Sequence, residues 1–219
     1  MSQWQSELAG SAFLTQTKQV SAQTYLSMKQ QVVQNLSHPS RQPECLSGSA
    51  YDERLMLPQH VQDHDLTAIS GVYTYKLLLA FTFGQYTAAL ENVAQAQPCL
   101  IALSPPLVPI FHFYAALTYL QLAPTQSESE QATTLAQAET HQTALYQSAQ
   151  TAPINYLHQW QLVEAERQRV LGQTAAALDY YDRAIASAKA NQFLSDQALA
   201  NELAAKFYLD WDKPAIARD

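Results

Sequence analysis

Glu164, Glu166, Arg167 and Arg169 crowd together in "LVEAERQRVLGQTAAALDYYDRAIASAKANQ" (Leu162–Gln192), followed by Gly172 and the adjacent Tyr180 and Tyr181. Paired carboxylates are what general acid–base chemistry needs, provided both reach one substrate. On a helix, residues two apart point about 200° away from each other, so Glu164 and Glu166 cannot share one. Their i,i+3 spacing instead pairs Glu164 with Arg167 and Glu166 with Arg169, each pair worth about 0.2–0.5 kcal/mol on an exposed face. Ion pairs exposed along one helix are therefore the expectation. Tyr180 and Tyr181 diverge by about 100°, so one packs inward between helices while the other lines a groove.

Other reactive residue types fare no better. His60 and His64, with Asp63 between them in "HVQDH", have the i,i+4 spacing that puts two imidazoles on one helix face and can bind zinc. The pattern lacks the glutamate beside the first histidine and a third ligand, so a solvated loop or helix start is expected and no metal is called. His112, flanked by Phe111, Phe113 and Tyr114, reads as a packed histidine hydrogen-bonded to a neighbouring helix. Cys45 and Cys99 have no CxxC or Cys/His spacing, which implies neither a disulfide framework nor a zinc site and fits a reducing, cytoplasmic setting. No GxSxG elbow, no GxxxxGK[ST] phosphate loop and no kinase catalytic or DFG segment occurs. The expectation is a protein without catalytic residues or cofactor.

The elements that would position these residues are helical. Hydrophobic residues form 47% of the 219 and charged residues only 14%, which excludes a disordered polyelectrolyte. The balance of 19 acidic against 12 basic side chains, net -7, does not attract a phosphate backbone, so nucleic acid is excluded as a partner. "MSQWQSELAG" has no basic segment before an apolar block and does not read as a signal peptide. Cys99–Leu122 imitates a membrane span, but Pro105, Pro106 and Pro109 interrupt its first half and leave about a dozen residues, the length of a buried helix. Membrane insertion is not expected.

Sustained period-two alternation is absent, and breakers bunch at four joints: Leu36–Glu53, "SPPLVP", Ala123–Ser129 and around Pro153. A single helical domain over 1–219 follows, with a first helix over about 12–35, a loop over about 37–50, and pairs over about 66–103, 107–150, 154–190 and 195–219, the last truncated. Superposing Gly84 on Gly172 places Ala89 on Ala177, Leu90 on Leu178, Val93 on Tyr181 and Ala96 on Ala184. A glycine lets the first helix end in a left-handed residue, and the alanines let the second approach closely. Small, large, small after a turn glycine is the pattern of the tetratricopeptide repeat. The fold class read from it is all-α, with antiparallel helix pairs stacked as a degenerate, right-handed tetratricopeptide-like solenoid. A weaker unit closes the chain, with Ala205, Asp212 and Ala217 at the small, turn and small positions.

"PIFHFY" (Pro109–Tyr114), "APINYLHQWQLVEAERQRVLG" (Ala152–Gly172), "ALDYYDRAIASAKANQF" (Ala177–Phe193) and "ALANELAAKFYLDW" (Ala198–Trp211) carry a resemblance, joined upstream by "AYDERLMLP" and "YKLLLAFTFGQY". From about Tyr25 onward the chain resembles the tetratricopeptide-like region of large multidomain signalling proteins, frequent in cyanobacteria. These join a serine/threonine kinase-like domain, an AAA-type ATPase, this region, a GAF domain and a sensor histidine kinase. Departures are Asp212 in place of a glycine, and "FYAALTYL" where the family commonly has Asp-Ser. The resemblance implies a non-catalytic regulatory module whose enzymatic parts lie outside this chain. A stand-alone adaptor is the alternative. In either case the partner is a protein or peptide, neighbouring domains of the same polypeptide included. The candidate face for it is Tyr73, Lys76, Tyr114, Tyr156, Trp160 and Glu164, while Gly84, Ala89, Ala96, Gly172, Ala177, Tyr181 and Ala184 hold the repeat together.

Overall fold

The structure, a computed structural model, describes residues 20–38 and 40–211. Among them the chain is all-helical, without a β-strand, in nine helices: α1 Val20–Ser37, α2 Glu53–Gln62, α3 Leu66–Thr82, α4 Tyr86–Ala96, α5 Val108–Leu122, α6 Glu128–Thr151, α7 Pro153–Val170, α8 Thr174–Ala190 and α9 Leu194–Asp210. Short 3-10 turns fill Gln97–Ala102, Pro105–Leu107 and Ala123–Thr125. Two compact units divide after Phe111, within α5. Residues 12–19 of the expected first helix, and Asp212 and Ala217 of the closing unit, lie outside the described residues.

In the first unit α3 is the central helix, packed by α1, α2, α4 and the 3-10 turn after α4. It is apolar around most of its circumference because it is buried around most of it: Ala68, Val72, Leu77, Leu79, Ala80 and Phe81 are all in the core. Gly71 sets how closely α1 can approach, since a Cβ there would stand 2.7 Å from the Tyr25 ring. Tyr25 completes that contact by donating to the Thr67 carbonyl at 2.7 Å. The loop after α1 is pinned by buried amides. Gln31 Oε1 accepts from the Ala50 and Tyr51 amides, its Nε2 donates to Asn35, and Asn35 donates to the Pro43 and Cys45 carbonyls.

In the second unit α7 is central, packed by α6, α8 and α9. A single non-helical residue, Ala152, separates α6 from α7, and Pro153 opens the new helix where a missing N–H costs nothing. Ser127 and Glu130 form a reciprocal capping box at the start of α6.

Four turns share one backbone form. Each has a left-handed residue (His64, φ 53°; Gly84, φ 71°; Gly172, φ 71°; Gln192, φ 63°) two positions after a helix end. In each, the next N–H reaches back to the carbonyl five residues earlier: Asp65 to His60, Gln85 to Ala80, Gln173 to Gln168 and Phe193 to Ala188. This is the Schellman closure. The second turn of each pair follows the first by twenty residues, 64 to 84 and 172 to 192. Nothing lies within 4 Å of a Cβ built on Gly84 or Gly172, so φ alone calls for glycine there. Hence Gln192→Gly and His64→Gly each raise thermal stability by about 0.5–1 kcal/mol, while Gly172→Ala lowers it by about 1–2 kcal/mol. Thermal melts of the three variants check both signs.

Pro109 sits in the first turn of α5 and does not interrupt it, so the apolar helix is longer than the dozen residues expected. By length and composition Pro105–Thr125 could cross a membrane, but 56% of that window is buried within the protein. It is a core helix by packing.

Candidate functional site

In the first unit, Tyr73 and Lys76 share α3 with the lysine 6.0 Å from the tyrosine ring. Lys76 Nζ donates to Glu53 Oε1 at 2.7 Å, and Glu53 Oε2 accepts the Leu46 amide at 2.8 Å. With side chains only 18% and 12% exposed, Lys76 and Glu53 tie α3 to α2 and the preceding loop. α2 was not foreseen. Asp52 caps it by accepting the Arg54 amide, and the Arg54 side chain holds the Asp52 carboxyl down to about 2.

His60 lies on α2 and is buried, not solvated as expected. Its ring stacks on Tyr51 at 6.4 Å, its Nδ1 is 3.6 Å from Asp65, and its Nε2 is buried without a partner. The i,i+4 argument fails for a backbone reason: the helix ends at Gln62, and left-handed His64 points elsewhere, exposed. No group of three or more potential ligands stands together among the described residues. Both cysteines are free, and burial pushes the Cys45 thiol up.

In the second unit, Tyr156, Trp160 and Glu164 recur every four residues along α7. Trp160, half-buried, meets Tyr146 of α6 at 5.3 Å and Tyr180 of α8 at 6.0 Å, edge to face. Arg183 lies 5.5 Å over the Tyr180 ring and bonds Asp179 at 2.7 Å. Three successive helices thus each give one aromatic ring to a single partly exposed stripe, with Tyr146 43% exposed. Tyr156 is half-buried further along the same side of α7.

Glu164 does not present itself on that stripe, because it is 6% exposed. Its carboxylate accepts Arg167 Nε and Nη2 at 2.9 and 2.7 Å, along with the side chains of Gln168 and, from α6, Gln142. Burial would raise the Glu164 carboxyl, but these donors outweigh it and hold it below the usual range. Glu166, 1% exposed, accepts Arg169 Nε and Nη2 at 2.9 and 2.7 Å, Gln121 Nε2 of α5 at 2.7 Å, and the Tyr181 hydroxyl. Burial, then the Glu166 carboxylate, push the Tyr181 hydroxyl far above its usual range. Both predicted i,i+3 pairs form, but their carboxylates face neighbouring helices instead of solvent. They point to different helices, as about 200° of divergence requires, and so act as two separate anchors.

Of the residues expected to hold a repeat together, Ala89, Ala96, Ala177, Tyr181 and Ala184 are at most 1% exposed. Tyr114 is half-buried on α5, edge-on to Phe113. His112, its neighbour, meets His141 of α6 through Nδ1 to Nδ1 at 2.9 Å, and Tyr119 stacks on His141. His158 and Asp196 went unnoticed in the sequence. They sit 38 residues apart on α7 and α9, and only the left-handed Gln192 turn brings His158 Nε2 to 2.7 Å from Asp196. His158 Nδ1 is buried with no partner, so no hydroxyl or thiol completes a nucleophilic triad there. Comparison with family models, characterised proteins and solved structures gave no match.

Proposed function

We propose that the chain is a non-catalytic, tetratricopeptide-like helical module that binds a protein or peptide partner and regulates signalling. Its setting is the cytoplasm, within a polypeptide whose kinase, ATPase and histidine-kinase parts lie elsewhere. The aromatic stripe Tyr146–Trp160–Tyr180 carries the reading. Aromatic rings that stay partly exposed on a rigid support are the groups that dominate partner binding. Here the support is built beneath them by two buried carboxylates that take donors from three flanking helices, Gln142 of α6, Gln121 of α5 and Tyr181 of α8. The repeated twenty-residue turn spacing and the buried alanines at 89, 96, 177 and 184 support the repeat character. The resemblance of Ala152–Gly172 and Ala177–Phe193 supports the signalling context.

Coding sequence flanking the chain tests that context: ATPase and GAF segments are expected on either side, and a reading frame without them leaves the adaptor. Partner binding is expected to fall about thirtyfold in Trp160→Ala, the effect of losing a hot-spot anchor worth about 2 kcal/mol. Tyr146→Ala, on the more exposed ring, gives a second reading should the first variant lose stability.

A further inference from the structure

α9 is apolar on two sides. Its inner side, Ala200, Leu203, Ala204 and Phe207, is buried where the helix packs on α8 and α7. Its outer side carries Leu194, 74% exposed, and Leu209, 55% exposed, with exposed Ala198 and half-buried Ala205 between them. At about 100° per residue these four fall within an arc of about 60°, one stripe about 22 Å long. The outer sides of α6 and α8 are finished differently. Glu128, Glu130 and Glu139 are exposed on the first, and Asp179, Asp182, Arg183 and Lys189 on the second. A helix with apolar residues on both sides is built for two sets of neighbours.

The stripe is its own complement when reversed. Leu194 and Leu209 lie equally far from the midpoint between Asn201 and Glu202, and so do Ala198 and Ala205. Laid antiparallel on a second α9, each Leu194 meets the other copy's Leu209 and each Ala198 meets its Ala205, as a two-fold interface demands. The central alanines let the helix axes approach to about 8 Å, and the leucines close the two ends.

Charge selects the same face. Each chain carries net -7, so two copies repel unless they meet where no unpaired carboxylate stands. Glu202, at the rim of the stripe, is bonded to Lys206 at 2.6 Å. Asp196 is turned inward to His158, and Asn201 is neutral. A helix pair of this length and about 10 Å width buries roughly 500 Å² in all. Stable interfaces need about 1,200 Å² or more, so the association is weak and concentration-dependent.

We propose that α9 is a homodimerisation face, on which two copies of the chain pair antiparallel through Leu194, Ala198, Ala205 and Leu209. α9 gives no ring to the Tyr146–Trp160–Tyr180 stripe, so each dimer carries two of those stripes. Sedimentation equilibrium of the full chain is expected to show a monomer–dimer equilibrium with a Kd of about 100 μM. It is expected to be tighter at about 500 mM than at about 50 mM NaCl, because salt screens the net repulsion. Leu194→Glu and Leu209→Glu alter exposed positions, leave the core intact, and are each expected to weaken the dimer about tenfold.

Cross-linking reads the register. Chains carrying Leu194→Cys or Leu209→Cys are oxidised separately and as an equimolar mixture, with the unmodified chain as the background for Cys45 and Cys99. The mixture is expected to give a disulfide-linked dimer and the separate chains none, since like positions stand about 22 Å apart. A chain that stays monomeric at about 1 mM would overturn the proposal, leaving the stripe to a helix of another protein or of a continuing polypeptide. So would a dimer indifferent to both glutamates, or cross-linking of like positions as fast as of the mixture.

Discussion

Arg169→Met lowers the unfolding free energy by about 3–5 kcal/mol, the cost of leaving a buried carboxylate without its partner. Glu166 is 1% exposed and Arg169 19% exposed at the side chain, so neither is rescued by solvent. Replacing both, as Glu166→Leu with Arg169→Met, is expected to cost less than Arg169→Met alone. The double change removes the stranded charge and leaves the Tyr181 hydroxyl and the Gln121 amide as the only orphaned donors. Urea titrations of the single and double variants give the comparison. Equal or larger loss in the double variant would mean that the carboxylate is not held mainly by Arg169.

Acid destabilises the second unit in two windows, and the first belongs chiefly to His141, with its neighbour His112 also held down by burial. Burial, then the neighbouring His112, hold the His141 ring down to about 4, while in the unfolded chain it titrates near 6.5. Below 6.5 the unfolded chain takes up a proton that the folded ring refuses, so stability rises with pH here. It is complete above about 6.5 and falls by about 3 kcal/mol as the pH drops to about 4. His141→Phe keeps a ring against Tyr119 and removes the titration. Its stability is expected to change far less than the wild type's between about pH 7 and about pH 4.5. An unchanged pH slope in the variant would remove His141 from the account. Glu164 acts in the second, more acidic window. Its carboxyl is depressed in the fold, so its contribution is present above the usual carboxylate range and is lost only as the pH falls through the lowered value.

What could be seen in the sequence depended on whether the physics was local. Gly84 and Gly172 announce their turns because a left-handed residue is costly for every other residue type. His64 and Gln192 occupy the same conformation, but neither is a glycine, so the sequence placed boundaries near them, before 66 and between 190 and 195, without identifying the residue that makes each turn. α2 was hidden by Pro58 within it, although Asp52 followed by Glu53 is an N-terminal signal that could have been read. Pro109 misled in the opposite direction, since a proline in a first turn opens a helix and interrupts nothing.

The i,i+3 pairing of Glu164 and Glu166 with their arginines followed from spacing. Their burial did not, because an ion pair looks the same in sequence on either face. What buries Glu166 is Tyr181 from fifteen residues on and Gln121 from 45 residues back. Both are tertiary facts. Of the stripe's three rings, Trp160 and one of the two tyrosines at 180 and 181 could be read from their helix positions, whereas Tyr146 joins through the packing of α6.

The module reading stands or falls on whether the stripe binds. The deciding measurement is the dissociation constant of the partner, captured and identified from the native cell, for the wild-type chain beside Trp160→Ala and Tyr146→Ala variants shown to be folded. The account predicts weakening of about thirtyfold for Trp160→Ala and a smaller loss for Tyr146→Ala. Unchanged affinity in both folded variants would contradict it.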